Sequence, residues 1–293
     1  MKTFLVGHSA DKGGAEALRL AATLARAARG RVVAAVILPQ TWDHPSPAMV
    51  DAEYAAFLER HAARTLAAAR AAMPPDVPAE YLARHGASTA AGLLALAEET
   101  DADAIVLGSS RKAPMARFQE GVVASEILRS AQVPVALAPR GYDALSGGVS
   151  RVTCALSASE HSIALARRAG QIAAGFHAAL RLATFIVRDR QMYPSDAGYD
   201  AENLVANQFR RQAHALHDRI RADWPDEALP ECVLGDGRNW RQAVGALDWR
   251  PDELLVIGSS GLGGLMRVFV GSNSGKILRH ALVPRLIVPR LTA

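Results

Sequence analysis

The apolar positions of the chain change period in a regular order. Short β-branched and aliphatic runs, TFLVG before Ser9 and Arg31 to Leu38, alternate with Ala- and Leu-rich segments whose apolar residues recur at helical spacing, the first ending near Gly30. The same order returns after residue 150: RVTCAL before Ser157, a helical segment up to Gly175, then Leu180 to Val187. Polar loops at Thr41 to Val50 and Asp189 to Asp200 lead into longer helices, predicted at roughly Met49 to Met73 and Ala201 to Ala222. Each half continues with a short strand and a helix (Ala90 to Glu99; Arg241 to Leu247). A strongly apolar strand follows, ending at Gly108 or Gly258, then a glycine-containing loop, a helix and a final Val-Pro strand. Strands separated by helices imply right-handed crossovers and a parallel sheet covered on both faces. The expected fold class is α/β, with two tandem open parallel-sheet sandwich domains.

The two halves are copies. DADAIVLGSS ending at 110 recurs as PDELLVIGSS ending at 260, and AQVPVALAPR ending at 140 recurs as ALVPRLIVPR ending at 290. Ungapped, Ile105 to Arg140 matches Leu255 to Arg290 at about 14 of 36 positions. Gly and Ser in GYDALSGGVS, Gly141 to Ser150, mark a linker, so the domains are expected at 1–142 and 149–293.

Composition narrows the class. Half of the 293 residues are hydrophobic and 21% charged, enough for a core in each half and too apolar for disorder. Cys154 and Cys232 are too few for a disulfide framework or a four-ligand zinc site, and a reducing cytoplasm is the natural inference. No apolar stretch reaches a membrane span, and the apolar run at the amino terminus breaks too early for a secretory signal. The 33 basic and 29 acidic residues give +4, but the arginines are scattered, which argues against nucleic-acid binding.

One motif carries chemistry. In the second copy the apolar strand runs into Gly258, then Gly261, and nine residues later Gly271 and Ser272, with Ser274 following at a helix start: G-x2-G-x9-G-S. Glycines after a strand let the backbone approach a phosphate, and the unbonded N–H groups of a helix start, with its dipole, favour an anion. Ser272 and Ser274 add hydroxyls. In an open parallel sheet the crevice lies beyond the carboxyl ends of the strands, where this loop, Ser157 and the turn after Phe185 converge.

On these residues the chain resembles the universal stress protein family in its tandem two-domain form, with a Rossmann-like fold of the adenine nucleotide alpha hydrolase type. The resemblance implies an ATP or AMP ligand, with magnesium as its possible companion. Gly258, Gly261, Gly271, Ser272 and Ser274 inherit the phosphate and ribose contacts, and Phe185 or Ile186 the place against adenine. It further implies a stress-responsive binding protein with an unidentified protein partner. No catalytic base or metal cluster is visible in the sequence, so the expectation is a protein that is not an enzyme, with at most slow, incidental ATP hydrolysis. The alternative is a metal-dependent adenylyl-transfer or ATP-hydrolysing activity. Pairing of the two copies as an internal pseudo-dimer, or of two chains as a homodimer, is expected through the edge strands. Where the family carries an Asp at the end of the first strand, this chain has Ser9 and Ser157, which hydrogen-bond without supplying charge. The first copy departs further: Gly108 and Gly121 remain, but Arg111 replaces the second glycine, Val122 the serine and Ala124 the later hydroxyl. It is expected to be structurally intact but impaired or silent as a nucleotide site.

Other readings compete. The glycine loop could be a connector without a ligand. GSNSGK, Gly271 to Lys276, lacks the first Gly and the final Ser or Thr of a P-loop, since Val270 and Ile277 stand there. His214 and His217 lie three apart on a helix without a third metal ligand, so an exposed polar face is expected, shared with Arg210, Arg211, Arg219 and Arg221. Ser109-Ser110 and Ser259-Ser260 have no nucleophile-elbow pattern around them. The alternative function is a nucleotide-independent scaffold, assembling through exposed edge strands at Val133 to Ala138 and Val283 to Val288.

Overall fold

The computed structural model describes residues 1–9, 14–40, 51–110, 112–143, 148–157, 161–188, 198–225, 228–259 and 272–289. They form two compact units, the first built on Met1–Gly148 and the second on Val149–Gly258 with the stretch up to Arg285; residues from Leu286 group with the first.

In the first unit β1 (Thr3–Gly7), α1 (Gly14–Ala28), β2 (Arg31–Pro39), α2 (Asp51–Ala72), β3 (Ala79–Gly86), α3 (Thr89–Glu99), β4 (Ala104–Leu107), α4 (Val122–Ser130) and β5 (Val135–Leu137) follow one another. The sheet order is β3-β2-β1-β4-β5, all parallel. The second unit repeats it with β6 (Arg151–Leu156), α5 (His161–Gly175), β7 (Ala179–Val187), α6 (Gly198–Ala222), β8 (Glu231–Gly237), α7 (Trp240–Gly245), β9 (Glu253–Gly258), α8 (Ser272–His280) and the start of β10 (Arg285–Val288). Here the parallel order is β9-β6-β7-β8. Among the described residues no helix is long and apolar enough to cross a membrane.

Local chemistry explains why both halves take this path. The first helix of each ends on a left-handed residue, Arg29 (φ 49°) or His177 (φ 53°), and the next N–H closes the helix, Gly30 to the Ala25 carbonyl and Ala178 to that of Ala173. Ser88 and Asn239 cap α3 and α7 by accepting from Ala91 and Gln242 N–H. The Val-Pro signature also keeps its place: Ile105 N–H donates to Pro134 O and Leu255 N–H to Pro284 O, each 2.9 Å. Gly141 and Gly148, in the stretch expected as a linker, both have positive φ, of 74° and 79°. Its first residues are tied down, since Gly141 N–H bonds the Glu16 carboxylate and the Tyr142 hydroxyl reaches Thr23 Oγ1 at 3.3 Å.

Two expectations are corrected. His217 lies on the inner face of α6, 2% exposed, with Nε2 3.0 Å from Thr184 Oγ1; burial pulls its pKa down to about 4. Arg210 is half-buried and paired with Asp236 instead of standing on a solvated face.

Candidate functional site

The second unit brings several of the sequence-predicted residues to the carboxyl end of its sheet. Ala155 pairs with Ile257 and Leu156 with Thr184, so Gly258 is level with Leu156, and Ser157 follows beside Phe185. The turn after β6 is pinned by Ser162 on α5: its hydroxyl accepts from Ser157 N–H at 3.2 Å and donates to Ser157 O at 2.5 Å. Ser157 itself is exposed. The start of α8 lies close by, for Ser274 Oγ donates to Gly258 O at 3.4 Å. A strand end, a neighbouring strand end and a helix start therefore meet, which is the geometry an anion needs. Behind α8, Lys276 Nζ stands 5.6 Å from the Trp240 ring of α7.

Two predicted residues have structural duties of their own. A Cβ at Gly258 would lie 3.0 Å from the Leu165 side chain on α5, so a larger residue there would have to push that leucine aside. The Phe185 ring is half-buried over Gly235, where a Cβ would lie 2.8 Å from it. Ile186 is buried. Gly261 and Gly271, and the Ser272 side chain, lie outside the described residues, as does Arg111 of the first copy.

The first copy turns the equivalent loop inward. Ser109 Oγ accepts from Gln119 N–H at 2.9 Å, Ser110 N–H donates to Gln119 O at 3.0 Å, and Arg140 Nη1 bonds Ala113 O at 2.7 Å. At the start of α4, Gly121 supplies no side-chain cap and Val122 is 77% exposed. Glu120 immediately precedes it, and its carboxylate accepts from Ser125 Oγ at 3.2 Å. An exposed carboxylate thus stands beside the first turn of α4, where it disfavours a second anion. Sequence comparison pointed to Arg111 and Val122 but overlooked Glu120, although Val270 at the matching place in the second copy signals the change. On the other strand end His8 is half-buried, its Nδ1 3.3 Å from Gly14 O, and burial lowers its pKa.

Metal chemistry has no cluster to work with among the described residues, where no three His, Cys, Asp or Glu side chains converge. Cys154 is fully buried, and desolvation raises its pKa out of the reactive range. Cys232 is only half-buried.

Comparison with known proteins agrees with this architecture. The model of the universal stress protein family matches twice, over residues 1–139 and 148–289. A universal stress protein of Mycobacterium tuberculosis is 38% identical over 295 residues, covering 98% of this chain and 99% of its own. A solved universal stress protein from Archaeoglobus fulgidus has a TM-score of 0.61 at 15% identity, covering 99% of this chain and 98% of that one. Another from the same organism, solved in complex with dAMP, covers 47% of this chain and 97% of its own, at 20% identity and a TM-score of 0.33. The chain belongs to the universal stress protein family.

Proposed function

We propose that the second unit binds an adenine nucleotide, ATP or AMP, and that the first unit binds none. The supporting observation is the meeting of Ser157, Gly258 and the α8 start at one end of the sheet, set against Glu120 at the same helix start in the first copy. Phosphates take the N–H groups of the β9–α8 loop, with Gly261, Gly271 and Ser272 as their cradle. Ser157 offers a neutral hydrogen bond to the nucleoside where a carboxylate would hold it more firmly. Magnesium accompanies ATP only as far as the phosphates themselves coordinate it. In this reading the protein is a cytoplasmic binding protein and not an enzyme, and occupancy alters its association with itself or with a partner.

The test is denaturation of the purified protein with mass analysis of what it releases, followed by titration of the stripped protein with ATP and AMP, with and without magnesium. The expected result is one nucleotide per chain, bound at least about a hundredfold more weakly after Gly261→Arg and Ser272→Val. Unchanged binding in that double variant would remove the phosphate loop from the reading; no binding at millimolar ATP would remove the nucleotide.

A further inference from the structure

The carboxyl edge of the second sheet carries a second feature, two residues of which sequence reading left unremarked. Asp236 on β8 pairs with Ile186, one residue past the row of Ser157 and Phe185. Its carboxylate accepts from Arg188 Nε at 3.1 Å, just beyond β7, and from Arg210 Nε at 3.1 Å on α6, with a further bond from Arg210 Nη2. Arg188 is fixed by its own N–H, which donates to Gly237 O at 3.0 Å. All three side chains are half-buried, at 28%, 36% and 27% exposure for Arg188, Arg210 and Asp236.

Two guanidiniums on one carboxylate leave a surplus positive charge. Arg188 uses only Nε on Asp236, and no described residue accepts from its two Nη groups. The fork is therefore oriented by Asp236 on a side chain that keeps 28% exposure, an arrangement suited to a multidentate oxyanion. Arg188 lies three residues beyond Phe185, about 10 Å further along the strand direction than the row holding Ser157.

The first copy lacks the feature. Gln40 makes the backbone bond equivalent to that of Arg188, N–H to Gly86 O at 3.2 Å. His85, one residue before Gly86, holds the place of Asp236 and turns its Nδ1 to Pro39 O at 2.9 Å. Counting back from the shared Ala62 and Ala213, Glu59 stands where the second copy has Arg210. The basic ledge accompanies the copy that keeps the glycine motif and is absent from the copy that lost it.

The geometry points to an anion subsite: Arg188, oriented by Asp236, takes a phosphoryl group distinct from the one at the β9–α8 loop, while Arg210, whose Nη1 bonds Asn207 Oδ1 at 2.8 Å, adds positive charge beside it. This rests on the nucleotide reading for the identity of the main ligand, and on the ion cluster alone for the subsite. The probe is inorganic pyrophosphate, titrated calorimetrically into the full chain carrying Ser272→Val, so that the loop is disabled. Pyrophosphate is expected to bind, about tenfold more weakly after Arg188→Gln, the first copy's residue, with Arg188→Lys falling between the two because it keeps the charge and loses the fork. No pyrophosphate binding, or binding that Arg188→Gln leaves unchanged, overturns the subsite; a circular-dichroism melt of each variant guards against misfolding.

A second arm separates the sources of the phosphoryl group. If adenosine 3′,5′-bisphosphate loses more affinity than AMP on Arg188→Gln, the subsite serves a second phosphoryl group of the bound nucleotide. Equal losses assign it to a separate free anion. If neither nucleotide binds while pyrophosphate still does, the nucleotide reading fails and the subsite stands.

Discussion

The same layer of the two units is built from opposite materials. In the first, Leu5 on β1 pairs with Val33 and Ile105, and Val135 follows Pro134; all four are fully buried. In the second, the pairing puts Thr153 beside Arg181 and Leu255, and Arg285 follows Pro284, all buried. Glu253, fully buried, accepts from Arg151 at 2.6 Å and Arg181 at 2.7 Å and from the Thr153 hydroxyl. Asp248 O takes bonds from both arginines, and the Trp249 ring lies 5.3 Å from the Arg181 guanidinium. Burial lowers the pKa of Arg181 while the adjacent Glu253 opposes the shift. The helix layer shows the same contrast. Val36 and Leu66 of the first unit share an apolar cluster with Leu38 and Ala62, whereas Thr184 and His217 of the second hydrogen-bond. One backbone plan accepts either solution, although the ionic one leaves Arg151 Nε buried without a hydrogen-bond partner, and the two solutions fail differently: an apolar row degrades gradually, a buried ion network fails when one member is removed.

The largest effect follows from breaking that network. Glu253→Ala leaves two buried guanidiniums without their carboxylate and is expected to destabilise the second unit by about 3–5 kcal/mol. Urea unfolding followed by Trp249 fluorescence reads it, and a loss below about 1 kcal/mol would show that the cluster is solvated.

Next comes acid. His217 has a folded pKa near 4, below the unfolded 6.5, so the neutral imidazole is the folded form. Its contribution is present above pH 6.5 and disappears as pH falls through 4, up to about 3 kcal/mol in all. Thr184→Val with His217→Leu copies the first unit's pair; this double variant should hold its neutral-pH stability within about 1 kcal/mol and lose much of the acid sensitivity. His217→Leu alone strands the Thr184 hydroxyl and costs about 1–3 kcal/mol. If the wild type and the double variant melt alike from pH 7 to 4, the buried pair does not set the acid response.

A smaller and more informative change runs in the other direction at the ligand edge. Giving the first unit Arg111→Gly, Glu120→Val and Val122→Ser removes the carboxylate and restores the cradle, and a second nucleotide per chain should appear, within about tenfold of the first in affinity. Stoichiometry staying at one would mean that the inward bonds of Ser109 and Gln119 close the first copy by themselves. The smallest effect belongs to Asp103, the first unit's counterpart of Glu253. Its partner Lys2 is exposed at 2.5 Å, and Lys2→Ala should shift stability by less than about 1 kcal/mol.

The order of strands and helices was legible because each element announces itself locally. Periodicity located Arg31–Pro39 and Ala179–Val187, the repeat of Val-Pro located β5 and the residues before β10, and the glycine pattern located the end of β9. The family followed from the same residues, since loop spacing and position in the repeat are properties of the chain itself. Which side chains are buried was less accessible. His217 and Arg210 share a helix with exposed arginines, and only the packing of α6 on β7 and β8 turns one into a core residue and sets the other against Asp236. Glu120, Arg188 and Asp236 are unremarkable in sequence because their meaning is relational: a carboxylate matters at α4 because the helix start is there, and a guanidinium matters just beyond β7 because β8 brings a counter-charge to it. Local sequence thus determined the elements, their duplication and the family, since these depend on neighbours along the chain. The tertiary structure alone decided which charges are buried, paired or turned outward, since Coulomb and desolvation energies depend on distances in space between residues far apart in sequence.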